Sequence, residues 1–344
     1  MRKSVIVLSL VFILFILQNC EYFTLMSNKE WLEKSGNNKV DVYACGYVGA
    51  SMSHKVVYWK NNEAPVYLEA IANANSLANS IYVYKNDVYV AGCDSAGYPC
   101  YWINGEKKNL SYSGLGGAYD IAVQDDNVFI VGYDNLYAFL WINQEKFNLA
   151  APPTSIYYLI AISLFVNKAG GGKYNIIIGG KYNDFAKDFP CYWTKNGSEI
   201  VVINTPNGSV KSLFLYKGDI YSAGDDGGSG YIWKNLDNLT SSITPTPSSL
   251  KSILISKDDM YIAGITSAGI AYYWKNYNSI QLPSSSSASS IKLFNNDVYV
   301  SGQGTVGYAC YWINNTGPYY FNADGAGSSA IGDYNSLFVT WDTH

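Results

Sequence analysis

The stretch Ser80–Leu110, SIYVYKNDVYVAGCDSAGYPCYWINGEKKNL, spells out a four-stranded antiparallel sheet. Ser80–Tyr84 and Asp87–Gly92 are runs of β-branched and aromatic residues separated by Lys85-Asn86. A loop leads to Pro99–Ile103, and Asn104-Gly105 turns the chain back into Lys107–Leu110. Asn-Gly between apolar runs is a strong hairpin signal, because a type I′ turn needs positive φ at both central residues. Runs such as Ile81-Tyr82-Val83-Tyr84 and Leu213-Phe214-Leu215-Tyr216 are apolar at successive positions, which suits a sheet packed on both faces.

The same order recurs from Asp41 to the end. A Trp marks the third strand of each copy, at Trp59, Trp102, Trp141, Trp193, Trp233, Trp274 and Trp312. A glycine closes each second strand, at Gly46, Gly92, Gly132, Gly180, Gly224, Gly264 and Gly302. The tryptophans lie 38 to 52 residues apart, the period of propeller blades built from four strands. Two independent marks predict an all-β chain, a single β-propeller of seven four-stranded blades spanning 41–344, with no second domain. The fourth copy is the longest, and Gly170-Gly171-Gly172 reads as an enlarged turn between its first two strands. Thr244–Pro247 and Ser284–Ser287 read as loops between blades.

At the far end, Ser329–Asp333 and Leu337–Thr340 read as the first two strands of a further copy that stops before its Trp. The opening copy starts at a second strand, Asp41-Val42-Tyr43. Pairing of the two termini would close the ring and remove its open edges. One second strand is then surplus, and eight blades is the alternative count.

Composition agrees with a packed β-protein. The 344 residues are 48% hydrophobic, 16% aromatic and 15% charged, which excludes a disordered chain. A net charge of -4 excludes the basic footprint of a nucleic-acid binder.

Residues 1–20 read as a secretory signal: Arg2 and Lys3 precede Val5–Leu17, an apolar run too short for the roughly 20 residues of a membrane span. Leu17-Gln18-Asn19-Cys20 resembles a bacterial lipobox, with Asn19 where a small residue is usual. The resemblance implies that Cys20 is lipidated as the first mature residue, with 21–40 as a tether; a plain cleaved signal is the alternative. Glu21 in place of Asp implies an address at the outer membrane or cell surface, and an anchor of several acyl chains holds stably.

Gly116-Gly117-Ala118-Tyr119-Asp120-Ile121, Val131-Gly132-Tyr133 and Ala138-Phe139-Leu140-Trp141-Ile142-Asn143 together resemble the HAF-type extracellular repeat. The other copies match it with a Tyr-Trp variant, as in Tyr101-Trp102-Ile103-Asn104-Gly105. The likeness spans about 300 residues of the chain. It implies a propeller of bacterial exported lipoproteins and carries no activity.

Catalytic chemistry finds little material. The chain has two histidines, His54 and the terminal His344, so neither a nucleophile triad nor a multi-His metal centre can be assembled. No cofactor and no metal are expected. Asp225-Asp226-Gly227-Gly228 lacks the ligand series of a calcium loop, and acidic pairs such as Asp258-Asp259 read as turn residues. Of six cysteines Cys20 belongs to the lipobox; Cys100, Cys191 and Cys310 hold one equivalent position two residues before a Trp, which favours burial over bridging. Cys93 and Cys100 flank a six-residue loop and could pair across it. The Trp residues, recurring at one register, read as packing between blades.

The loops between second and third strands and between blades emerge on one face, and the tight turns on the other. The irregular loops fall on the first: 47–54, 94–98, 133–136, 181–189 and 225–230. Tyr47, Tyr133, Tyr182 and Phe185, with Asp94, Asp134, Asp184 and Asp225, would give that face an aromatic and acidic character suited to a protein, peptide or glycan. The expectation is a monomeric, membrane-tethered, non-catalytic binding module. A carbohydrate-active enzyme using loop carboxylates and a purely structural envelope protein are the alternatives.

Overall fold

The computed structural model describes residues 40–341 apart from 51–52, 70–74, 204–206, 241–242, 325–328 and 332–335. The signal segment, the tether up to residue 39, Cys20 and Asp333 lie outside the described residues, and Val40, the last residue of the expected tether, opens a strand. One compact unit, Val42–Thr340, holds seven antiparallel sheets arranged as a β-propeller; the other, Met1–Asp41 with Trp341–His344, falls almost wholly outside the description. Six blades are made of four consecutive strands each, over 77–109, 116–148, 158–202, 209–238, 247–281 and 285–320. These are blades two to seven, and the first strand of each is the innermost.

Blade one joins the ends of the chain. Val40–Ala50, Ser53–Lys60 and Val66–Tyr67 are its outer strands. Ser329–Ile331 pairs with Val48–Gly46, and Leu337–Trp341 pairs with the same strand. The Cys45 N–H donates to the Ser336 carbonyl at 3.2 Å. The two C-terminal segments are therefore one innermost strand in two pieces, not the first two strands of an eighth copy. The surplus strand disappears, and the ring has seven blades.

Three recurring devices shape each blade. The innermost strand carries a β-bulge: Ala78 pairs with Gly92 and Ser80 with Ala91, leaving Asn79 outside the ladder. Tyr119, Ile162, Lys211, Lys251 and Ser289 occupy the same place in blades three to seven. The bulge drives a carbonyl against the second strand, where a Cβ on Gly92 would lie 1.8 Å from the Leu77 oxygen, and one on Gly224 1.8 Å from the Ser209 oxygen. This contact is why glycine keeps the beat of the repeat.

The residue after the bulge is Ser80, Asp120, Ser163, Ser212, Ser252 or Ser290, always followed by Ile or Leu. In all but Ser290, whose Oγ is buried without a partner among the described residues, its oxygen accepts a backbone N–H from the next blade: Ser80 from Ile121 at 3.4 Å, Asp120 from Leu164 at 2.8 Å, Ser163 from Leu213 at 3.1 Å, Ser212 from Ile253 at 3.1 Å and Ser252 from Ile291 at 3.2 Å. A bulge that frees an N–H from the ladder thus becomes an inter-blade bond, satisfying a buried donor.

The third device is an asparagine after each Trp. Asn61, Asn104, Asn143, Asn196, Asn235, Asn276 and Asn314 all have φ between 48° and 57°. Each Oδ1 accepts the N–H of a residue at the start of its blade's second strand, as Asn104 does from Val88 at 2.8 Å and Asn314 from Val298 at 2.8 Å. Asparagine tolerates left-handed backbone and supplies the acceptor, two reasons that coincide at one position.

All seven repeat tryptophans are fully buried. Hydrophobic clusters lie between successive blades, so the core is a set of inter-blade layers. Trp141 Nε1 donates to Ser111 O at 3.0 Å, Trp193 to Ala150 at 2.7 Å and Trp59 to Asn322 at 2.7 Å, each acceptor standing on the link that enters the blade. Burying a side chain of this size contributes roughly 3 kcal/mol.

Blade four is longer because its first hairpin is longer. Tyr158–Gly170 pairs with Lys173–Asn183 through to Gly170 opposite Lys173, so the turn itself is only Gly171-Gly172. Pro247 and Ser285 already open inner strands, which shortens the expected inter-blade loops.

Cys93 and Cys100 do not bridge. Cys93 stands opposite Pro99 and Cys100 opposite Gly92, adjacent rungs whose side chains leave opposite faces of the sheet. Cys45, Cys93, Cys100, Cys191 and Cys310 are free and buried, and burial pushes the Cys93 thiol up to about 12. We expect these five to resist maleimide in the native protein and all to react in guanidinium without reductant, as counted by mass spectrometry. Only three reacting thiols would mean that a bridge exists.

Candidate binding face and central channel

The loop face is built more from strand ends than from loops. Tyr47 lies on the ladder opposite Val56, with its ring 4.4 Å from that of His54, whose Nε2 donates to Ser76 O at 2.8 Å. Tyr133 stacks on Tyr119 at 5.7 Å. Tyr182 is 6% exposed and stacked on Phe189 at 4.9 Å inside the layer holding Trp193; as a core residue it leaves the set of recognition residues. Phe185 is 69% exposed and packs on Tyr157 at 5.4 Å. Strand alternation explains the difference: a residue still on the ladder is turned inward at every second position, whereas Phe185 stands clear of the pairing.

The acids mostly serve their own turns. Asp94 accepts the N–H groups of Ala96 and Tyr98 at 3.0 Å each and pairs with Lys107. Burial would raise its pKa, but the Lys107 ammonium and these N–H groups outweigh burial and hold it below the ordinary carboxylate range. Asp134 is wholly buried, bound by Ser113 through N–H and hydroxyl, by the Gly114 N–H and by the Lys146 ammonium. These partners likewise overcome burial and lower its pKa. It is a structural strut and leaves the recognition set too. Asp184 caps Ala186 and Lys187 at 3.0 Å each, and Asp225 accepts from Ser249 Oγ at 2.5 Å.

Two concave features remain. A groove of about 440 Å³ lies between blades four and five on the loop face, with Tyr158, Lys181, Lys187, Asp188, Asp225 and Asp226 among its walls. Asp188 binds Lys181 Nζ at 2.6 Å, Asn183 Nδ2 at 2.9 Å and the Tyr158 hydroxyl. Burial opposes the Asp188 charge, yet Lys181, Tyr158 and Asn183 prevail and keep its pKa low. Asp226 accepts N–H groups of Gly228 at 2.9 Å and Ser229 at 2.7 Å, and the Tyr231 hydroxyl at 3.0 Å. The second feature is a channel cavity of about 360 Å³ walled by the first strands of blades three to seven, including Asp120, Lys251, Lys292, Phe165 and Phe214. Lys211 lines both.

Of the eight residues read from the sequence, Asp225 lines the groove and Phe185 stands on the loop that carries Lys187 beside it. Tyr47, Asp94 and Tyr133 stand on blades one, two and three, away from the groove-forming blades. The expected loop 181–189 also contains Lys181, Lys187 and Asp188, which a reading of its aromatic residues and turn acids does not single out. No group of three or more His, Cys, Asp or Glu residues that could hold a metal occurs among the described residues.

No family model matches the chain, and no curated protein matches it. Among solved structures it is similar to the crystal structure of the computationally designed Ika8 protein, with 13% identity over 87% of this chain and 93% of that one, at a TM-score of 0.47.

Proposed function

We propose that the chain is an exported, non-catalytic binding module of the HAF-type repeat kind, anchored through lipid on Cys20, that takes a glycan in the groove between blades four and five. The observation that carries this reading is the composition of the groove. It offers cations and anions side by side, in Lys181, Lys187, Asp188, Asp225 and Asp226, with an exposed aromatic pair nearby, Phe185 on the adjoining loop and Tyr157 on the link that enters blade four. Convergent polar groups beside an exposed aromatic surface suit a ligand rich in hydroxyls with apolar ring faces.

Binding is favoured over hydrolysis by the state of the carboxylates. Glycoside hydrolysis needs one carboxyl held protonated to donate to the leaving oxygen. Asp188 and Asp226 are instead held ionised by their hydrogen-bond partners.

The test is capture on a glycan array and from envelope extracts, comparing the wild type with Lys187→Ala/Asp226→Ala and with Tyr47→Ala. The groove variant should lose at least tenfold in affinity, and Tyr47→Ala should bind as the wild type does. No glycan bound by the folded wild type, or capture only of a protein or peptide, would overturn the glycan reading. Release of shortened sugar by the wild type would point to the enzyme instead.

A further inference from the structure

The innermost strands carry one side chain that the repeat does not explain. Two residues after the Ser/Asp position stand Tyr82, Ala122, Phe165, Phe214, Leu254 and Phe338 in six blades, and Lys292 in blade seven. The fold is thus built around this register with apolar residues, so a lysine there is not required for closure. Lys292 lines the channel cavity, and its ammonium has no hydrogen-bond or ion-pair partner among the described residues. Walling-in pushes its pKa down, partly offset by the Asp120 charge. A partly buried ammonium without a direct partner is stabilised when an anion meets it.

Its neighbours point the same way. Lys211 and Lys251 occupy bulge positions, where the extra residue leaves the ladder and its side chain is re-aimed, and both line the cavity. Asp120 is the one carboxylate among the described lining residues and is already committed. It is 3% exposed, its Oδ1 holds the Ser80 hydroxyl at 2.7 Å and the Ile121 N–H at 2.9 Å, and its Oδ2 holds the Leu164 N–H at 2.8 Å. Lys251 and Lys292 therefore stand beside an acid whose oxygens are already occupied. Apolar wall lies beside them, with Phe165 and Phe214 edge to face at 5.2 Å.

We propose that the central channel is a second binding site, for a small organic anion whose carboxylate or phosphate meets Lys251 and Lys292 and whose apolar body lies against Phe165 and Phe214. The cavity of about 360 Å³ falls within the range of small-molecule sites, roughly 300–1,000 Å³. The site shares only Lys211 with the groove, and its ligand is distinguished by charge rather than by hydroxyls.

The experiment is calorimetric titration of the full chain with benzoate and phenyl phosphate, with neutral benzamide as control and inorganic phosphate to isolate the charge. Both aromatic anions should bind saturably, benzamide should not, and inorganic phosphate should bind more weakly than phenyl phosphate. Lys292→Met should weaken the anions at least tenfold and keep or raise the melting temperature, since the register is apolar in the other blades. Lys251→Met provides a second reading should Lys292→Met misfold, and Asp226→Ala in the groove should leave anion binding unchanged. Absence of anion binding by the folded wild type, or affinity indifferent to both lysine changes, would overturn the proposal. Glycan capture without anion binding, or the reverse, separates failure of this site from failure of the groove.

Discussion

A chain truncated after position 328 is expected to lose its cooperative fold and to aggregate. It lacks Ser329–Ile331 and Leu337–Trp341, which supply the innermost strand of blade one. Their removal strips one edge of Val40–Ala50 and leaves the Cys45 N–H without the Ser336 carbonyl. Blade seven loses as well: Ser329 Oγ accepts the Ala309 N–H at 2.9 Å and its carbonyl accepts Gln303 Nε2 at 3.1 Å. Leu337 is fully buried, and the Phe338 ring lies 4.9 Å from Tyr82 of blade two. One deletion thus removes contacts of blade one with both neighbours and exposes a long strand edge that can pair with another chain. Light scattering after size exclusion, with urea unfolding followed by circular dichroism, checks this. A truncated monomer with the sharp transition of the full chain would show that closure is not what holds the ring.

Replacing Asp120 with Ala is expected to be the most damaging single substitution in the channel, costing roughly 3–5 kcal/mol. One carboxylate ties three blades, through Ser80, its own Ile121 and Leu164, and all three donors are interior. Alanine takes the acceptor from the Leu164 N–H and the Ser80 hydroxyl, leaves the Ile121 N–H only its 3.4 Å bond to Ser80 Oγ, and removes the negative charge that partly offsets Lys292. At about 2–4 °C per kcal/mol in a chain of this size, the melting temperature should fall by on the order of 10 °C. Asp120→Ser should lose less than half as much, because serine is the residue of the equivalent position in the neighbouring blades and can accept the Leu164 N–H, as Ser163 accepts that of Leu213 at 3.1 Å. Adding Lys292→Met to Asp120→Ala should recover part of the loss by removing the uncompensated cation. Equal melting temperatures for the Ala and Ser variants would sink the account of the inter-blade ring.

The fold is legible because its marks are each dictated by a local necessity. Glycine recurs where a carbonyl presses on Cα, Trp where a blade must fill the layer against its neighbour, and Asn where the backbone turns left-handed. The bulge ring is equally present as a repeated Ser/Asp followed by Ile/Leu, from Ser80-Ile81 to Ser290-Ile291. It escapes a reading of the sequence because serine in an apolar strand resembles ordinary variation until its role as acceptor of an N–H across blades is seen. The recognition face is less legible. Tyr182 and Phe185 are three residues apart in one expected loop, yet one is core and the other exposed. Asp134 and Asp184 look alike in sequence, yet one is fully buried and the other caps an exposed turn.

What the sequence determined by itself was the architecture: a four-stranded blade, the blade period, the tight turns and closure through the termini, because each rests on backbone geometry and packing that residue type dictates within a few positions. Tertiary structure alone decided that the C-terminal segments form one interrupted strand, which loop residues face solvent, and that Lys211, Lys251, Lys292 and Asp120 meet in a single channel. Those facts depend on residues from separate blades brought together when the ring closes. Their spacing along the chain carries no record of the distance across it.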